Sequence, residues 1–395
     1  MTLKKSSTPV GIFVAPPLPI FTPVRSAQVT RKTMERQQLL TEVEREDFLF
    51  VYHTIVKDLL DIPGMEDMEE TNLWMEKMLH YNVTHGKQIR GQVTAMAYKH
   101  FALGKLTDEN IRLSYILGWC TEILNACLVV ADDIMDESEI RRGRQCWYKF
   151  NNLGLPAIND AMLLNKYFKH KTYYTKTTAV MINITYRTLF GQSLDTRTSQ
   201  ERRLETLGLN LNELVNVGEF RRFTMETYTA IVKNKTSLYT YYLPFALAMT
   251  MAEIKDPTLF QEVRNVAVLM GHFLQVRDDF LDCFGDVELT GKIGTDIQNC
   301  KCSWLYLVAM QSCSSGQKSL LIENYGQYET EKISAVKNLY NELKLEDVYH
   351  KYEEQAYNQI CTQIQQLSDG LPKGVFFRML HAYSLHRSIK HICLE

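Results

Sequence analysis

Along this chain apolar residues return every three or four positions rather than every second one. Leu113, Leu117, Cys120, Leu124, Cys127 and Ala131 mark one buried helical face, and Val263, Val266, Met270 and Phe273 mark another. Each stretch runs straight into a cluster of aspartates. Alternating β-branched runs between Asn-Gly or Asp-Gly turns, the hairpin pattern, are missing. Proline placement agrees with a helical chain. Of ten prolines, Pro9, Pro16, Pro17, Pro19 and Pro23 fall in the first 23 residues. The body holds only Pro63, Pro156, Pro244, Pro257 and Pro372, as helix interiors require. No internal repeat of fixed period stands out. The pattern predicts an all-α fold: a single-domain helical bundle over residues 35–395, with long helices.

The first 34 residues differ. They hold no Asp or Glu, carry Lys4, Lys5, Arg25, Arg31 and Lys32, and are rich in Ser and Thr. Such a leader suits a mitochondrial transit peptide. A disordered extension is the other reading, since the prolines interrupt any amphipathic helix. The expected location is cytoplasmic or mitochondrial.

Composition narrows the function class. At 45% hydrophobic and 23% charged, the 395-residue chain is neither disordered nor collagen-like. Forty-four Lys plus Arg against 46 Asp plus Glu give a formal charge of −2. That excludes the global basic excess of a nucleic-acid binder. Nine cysteines include one close pair, Cys300-x-Cys302, and read as reduced thiols rather than a disulfide framework or a zinc site. No apolar run approaches the roughly 18 residues of a membrane span. A soluble intracellular protein is expected.

The two acidic clusters carry the chemistry. Asp132-Asp133-Ile134-Met135-Asp136 and Asp278-Asp279-Phe280-Leu281-Asp282 share one spacing. Residues four apart lie on one helix face, so Asp132 stacks with Asp136 and Asp278 with Asp282. Like charges so placed repel, and burial raises their pKa unless a cation neutralises them. Magnesium accepts one or two carboxylates and leaves its other positions to water and phosphate oxygens. A solvated acidic helix end explains one such cluster as well; two copies of identical spacing favour metal. Cations accompany them. Lys87 and Arg90 lie between Gly86 and Gly91, Arg141 and Arg142 follow the first cluster, and Lys292 and Lys301 follow the second. Lys235 and Thr236 lead into a tyrosine-rich helical stretch. Together these describe a metal-bridged diphosphate site.

The strings DDIMD with RRG-x-x-CWY (132–148), AINDA (157–161), IVKNKT…YYLP (231–244) and DDFLDCFGD…TGKIGTDIQ…KCSW (278–304) resemble the trans-isoprenyl diphosphate synthases. The likeness is to the farnesyl diphosphate synthase type of animals, insects included, from about residue 45 to 390. It implies an isoprenoid synthase fold with a central cavity, three magnesium ions and commonly a homodimer. It also implies roles. Asp132, Asp133, Asp136, Asp278, Asp279 and Asp282 would hold magnesium. Arg141, Lys235 and Lys292 would grip an allylic diphosphate, with Lys301 nearby. Lys87, Arg90 and Arg142 would grip isopentenyl diphosphate. Thr236 and Gln275 would face the allylic cation, beside a pocket containing Asn125, Cys127, Leu128, Tyr239 and Leu274. Tyr239, Tyr241 and Tyr242 read more simply as core aromatics.

Departures cluster on the isopentenyl side. Ile89 stands where the family usually has Asn, Asn125 where it has Gln, Leu274 where it has Phe and Arg277 where it has Gln. His386-Arg387-Ser388-Ile389-Lys390 replaces a more basic tail. Cys127 and Leu128 replace aromatics that set a pocket floor. Losing a buried hydrogen bond to a charged group costs about 1.5–3 kcal/mol. Several such losses predict an enzyme that ionises the allylic diphosphate but releases a terpene, a sesquiterpene from farnesyl diphosphate. The alternative is a farnesyl or geranyl diphosphate synthase, because all three isopentenyl-site cations are retained. A catalytically silent partner subunit is a third reading.

Overall fold

Capping residues set where the helices begin. The Thr41 hydroxyl accepts from the Glu44 amide while the Glu44 carboxylate takes the Thr41 amide. Thr107 caps Asn110, Thr224 caps Thr227, and Ser303 caps Tyr306. Asp256 precedes Pro257, whose missing N–H costs nothing in a first turn. The computed structural model describes residues 39–61, 67–163, 174–206 and 223–384. The helices are α1 (Glu42–Leu60), α2 (Glu69–Val83), α3 (Ile89–Phe101), α4 (Asp108–Met135), α5 (Ala157–Leu163), α6 (Tyr174–Thr206) and α7 (Met225–Ile231). A π-helix (Val232–Tyr242) then leads into α8 (Leu243–Met251) and α9 (Pro257–Phe284). Next come α10 (Val287–Thr290), α11 (Trp304–Ser312), α12 (Ser315–Asn324), α13 (Thr330–Glu342), α14 (Leu345–Gln365) and α15 (Lys373–Ser384). The all-α expectation holds, and the two periodic stretches are α4 and α9. The leader and the His386–Lys390 segment lie outside the described residues.

Two apolar cores organise the helices. The larger joins α1 to α4 with α8, the first half of α9 and α15. The smaller gathers Tyr228, Val276, Phe280, Trp304 and Tyr349 around the other end of α9. The indole N–H groups of the buried Trp119 and Trp147 find partners. Trp119 stacks on Phe48 and donates its indole N–H to the Phe48 carbonyl at 2.6 Å. Asp160 of the AINDA string accepts from Trp147 at 2.8 Å and from Trp74 at 3.2 Å. That motif is structural: it anchors the segment after the first acidic cluster.

Three features depart from the sequence reading. Helix α4 is long and apolar enough to cross a membrane by length and composition, although 72% of its most apolar window is buried inside the protein. It is the core helix of the bundle. A short hairpin, β1 (Ile140–Arg141) with β2 (Arg144–Gln145), turns at Arg142 and Gly143, both with positive φ. That is the φ pattern of a type I′ turn. The tyrosine-rich stretch is a π-helix rather than an α-helix. Pro244 removes a donor just beyond it, and the Leu243 amide reaches back to the Leu238 carbonyl. Glycine permits its close packing on both sides. A Cβ on Gly191 would run into the Lys235 amide, and one on Gly271 into the Ser237 side chain.

Candidate active site

The end of α4 presents the first aspartates and the end of α9 the second. The loop after α10 joins them. Lys292 lies 3.1 Å from Asp278, the Thr295 and Asp296 amides donate to Asp282 at 3.2 and 2.9 Å, and Lys301 reaches Asp136 at 2.7 Å. Asn299 also donates to the Asp136 carbonyl at 3.1 Å. The hairpin turn is fastened to the same loop, Gly143 N–H to Gly291 carbonyl at 3.0 Å. The two triads therefore face a common site.

Within each triad the members divide. Asp133 is 3% exposed and accepts from Arg141 Nε at 2.9 Å; Asp279 is 4% exposed. One Asp279 oxygen takes the Gln275 amide at 2.9 Å and the other takes the Trp304 backbone N–H at 2.7 Å. Among the six aspartates that the resemblance assigns to metal, these two middle carboxylates are engaged by scaffold hydrogen bonds. Burial pushes the Asp133 carboxyl up and the Asp279 carboxyl up to about 7. Asp136 and Asp282 are raised too, by burial and then, for Asp136, by its neighbour Asp132. Asp132 goes the other way. Burial opposes its charge, but Lys235, Lys301 and Arg141 outweigh burial and hold the carboxyl below its ordinary value.

Asp195, on α6, was not singled out from the sequence. It accepts from Lys235 at 2.7 Å and from Lys301 at 3.2 Å, while Lys235 lies 3.2 Å from Asp132. The result is a chain of charges, Asp132–Lys235–Asp195–Lys301–Asp136. Its sequence signal, an aspartate three residues after Gly191-Gln192, is too short to read without the contacts. Thr236 donates to Gln275 Oε1 at 2.8 Å, so the π-helix and α9 share one polar network.

The second set of cations gathers elsewhere in the site. Arg142 donates to the Asn82 carbonyl at 3.1 Å, and its guanidinium packs against Gly86. Arg90 donates to Tyr239 at 3.2 Å and Thr240 at 3.0 Å, with its guanidinium carbon 4.8 Å from the Tyr239 ring centre. Tyr239 is thus an arginine platform. Glu122, buried on α4, accepts the Gly91 amide at 2.8 Å and offsets Arg90 and Arg142. Lys87 opens the same loop. Ile89 and Asn125 are buried, and Cys127, Leu128 and Leu274 are half-buried against the core.

Among the described residues, no three carboxylate, imidazole or thiol groups close into a metal cage of their own. Magnesium does not require one, since phosphate and water complete its shell. The donor set fits that ion. Asp132 Oδ1 is buried and accepts no hydrogen bond, with the Lys235 ammonium 3.2 Å away, and Asp278 carries the more exposed carboxylate opposite.

Comparison with known proteins agrees with this geometry. The family model for polyprenyl synthetase matches residues 72–343. The farnesyl pyrophosphate synthase of Murgantia histrionica is 42% identical over 356 residues, covering 88% of this chain and 83% of that one. The Bos taurus farnesyl pyrophosphate synthase is 39% identical over 343 residues, covering 84% and 93%. The solved farnesyl diphosphate synthase of T. brucei, complexed with risedronate, superposes with a TM-score of 0.75 at 30% identity, over 86% of this chain and 98% of its own. With its helical bundle and paired aspartate helices, the chain belongs to the polyprenyl synthetase family.

Proposed function

We propose that this protein is a prenyltransferase that condenses isopentenyl diphosphate with dimethylallyl or geranyl diphosphate, a farnesyl or geranyl diphosphate synthase. The observation that carries this reading is the intact second cation set, Lys87, Arg90 and Arg142, built apart from the aspartates. The relatives support it as well. They are farnesyl pyrophosphate synthases, so the terpene synthase expected from the sequence departures yields to the transferase.

The site's own residues do most of what the reaction needs. Magnesium held by Asp132, Asp136 and Asp278 would neutralise an allylic diphosphate and favour its departure. Arg141, Lys235 and Lys292 stand ready as fixed donors to the leaving diphosphate, so little reorganisation accompanies charge development. Thr236 donates its hydroxyl hydrogen bond to Gln275 Oε1, which leaves the hydroxyl oxygen offering only lone pairs to a nearby cation. Lys87, Arg90 and Arg142 orient the second diphosphate and bring its double bond to the allylic carbon. Cys127, Leu128 and Leu274 line the dry side of α4 and α9.

A specific observation favours release of a terpene as the second reading: Ile89 is buried at the mouth of the cation loop and offers no hydrogen bond where the family has an amide. Incubation with magnesium and geranyl diphosphate, with and without isopentenyl diphosphate, separates the two. Elongated diphosphate formed only with isopentenyl diphosphate is expected. Volatile hydrocarbon or alcohol formed without it would replace the transferase reading.

The protein is further proposed to act as a homodimer. Ile182, Tyr186, Leu189 and Phe190 form an exposed apolar stripe on α6, with the Tyr186 and Phe190 rings 4.6 Å apart. Ile158 and Met162 add a second exposed pair on α5. A contiguous patch of this kind marks an association surface.

A further inference from the structure

Arg277 precedes the second aspartate cluster and is only 6% exposed. Its Nη1 donates to the backbone carbonyl of Tyr383 on α15. Among the described residues no carboxylate lies within ion-pair distance of Arg277. Its charge is felt by Lys87: burial, then repulsion from Arg277, pulls that ammonium below its ordinary range. Tyr383 packs on Tyr241 with ring centres 5.1 Å apart. The Tyr383 hydroxyl is buried without a hydrogen-bond partner, and so is Arg90 Nε. Unsatisfied buried donors are costly, and an anion is the partner that suits both.

We propose that Arg277 is a fourth cation of the second diphosphate site and a positioning residue that holds Tyr383 of α15 against Tyr241. The family's usual glutamine could hold a carbonyl there but could not add charge. The inference rests on the two-diphosphate reading above. It predicts that this half of the site takes a diphosphate without metal, because it meets the anion with guanidinium and ammonium groups alone.

The test uses the full chain and inorganic pyrophosphate in the presence of EDTA, titrated by calorimetry, alongside steady-state kinetics. Arg277→Gln is expected to weaken pyrophosphate binding about tenfold and to raise the KM for isopentenyl diphosphate by a similar factor. The KM for the allylic diphosphate should move less than about twofold. Pyrophosphate affinity within about twofold of wild type overturns the inference, as does an equal rise in both KM values. If wild type fails to condense yet Arg277→Gln still loses pyrophosphate, the inference stands and the transferase reading falls. Should Arg277→Gln not fold, Arg277→Lys carries the test. It keeps the charge but not the reach, so faster hydrogen exchange at the α15 amides around Tyr383 is expected; unchanged exchange with unchanged pyrophosphate affinity overturns the proposal.

Discussion

Asp195→Asn probes the charge chain at its centre. The Asp195 carboxylate lies 2.7 Å from the Lys235 ammonium and 3.2 Å from the Lys301 ammonium, and its side chain is 9% exposed. Removing one member of a buried ion pair costs about 3–5 kcal/mol when the other charge is left alone. Here neither lysine is left alone, since Lys235 keeps Asp132 at 3.2 Å and Lys301 keeps Asp136 at 2.7 Å. The loss is then nearer that of one charged hydrogen bond, about 1.5–3 kcal/mol. Burial would raise the Asp195 carboxyl, but the two lysines outweigh it and hold it well below its ordinary 3.8. A depressed carboxyl contributes its stability fully above the unfolded value and loses it only as pH falls below about 4. The gap between wild type and variant in urea denaturation should therefore be constant from pH 5 to 8. A second effect follows at the metal. Lys235 and Lys301, released from Asp195, bind Asp132 and Asp136 more firmly and compete with magnesium there. Loss of such an outer-shell partner costs about 10–100-fold in metal affinity or activity, so half-saturating magnesium should rise at least about tenfold. A gap below about 0.5 kcal/mol, or a magnesium requirement unchanged from wild type, refutes the idea that Asp195 parks the lysines away from the aspartates.

Other predictions are shorter. Asp278→Ala removes a half-exposed carboxylate whose ion pair, among the described residues, is with Lys292, so turnover should fall to background while the melting temperature changes by no more than a few degrees; retained turnover would displace magnesium from that residue. Asp279, raised to about 7 by burial, favours the folded state most while neutral. In EDTA, wild-type stability should decline relative to Asp279→Asn as pH rises from about 4 to about 7 and level off above, and parallel profiles would remove that assignment. Phe190→Glu on the α6 stripe should convert a dimer to a monomer by light scattering with the fold retained; an unchanged mass places the interface elsewhere. Ile89→Asn with Asn125→Gln should lower the KM for isopentenyl diphosphate, and an unchanged KM shows that these positions do not touch that substrate.

Much of this architecture could be read from spacing alone. The face carried by Leu117, Cys120 and Leu124 and the one carried by Val263, Val266 and Met270 each continue into an aspartate cluster, so both the helices and their functional ends were legible. What spacing could not reveal was the division within each cluster. Asp132 and Asp133 look alike on paper, and only Arg141, held by a hairpin turn with two positive φ values, turns one of them into scaffold. Asp195 escaped for a related reason. Its meaning lies in lysines 40 and 106 residues away along the chain. The π-helix was illegible because the glycines that license it, Gly191 and Gly271, sit on other helices. Single departures from a family pattern are a weaker signal than the set of cations around them. Ile89 and Asn125 are real changes, but they flank a cation set that the fold still assembles.

The two halves of the site differ in how they can accept a diphosphate. Around the triads, Asp132, Asp133, Asp136, Asp195, Asp278, Asp279 and Asp282 face four cations, Arg141, Lys235, Lys292 and Lys301. Even with Asp279 neutral, that half carries excess negative charge and repels an anion until divalent ions are added. Around α3, Lys87, Arg90, Arg142 and Arg277 outnumber Glu122, so a diphosphate finds excess positive charge without any metal. On the transferase reading, one fold would thus offer two anion sites of opposite electrostatic sign. A substrate whose diphosphate must leave would be directed to the half whose aspartates can hold metal. One whose diphosphate must stay intact would be directed to the half where arginines only hold it. The division of labour between donor and acceptor substrate would then follow from that asymmetry, before any shape of the hydrocarbon pocket is considered.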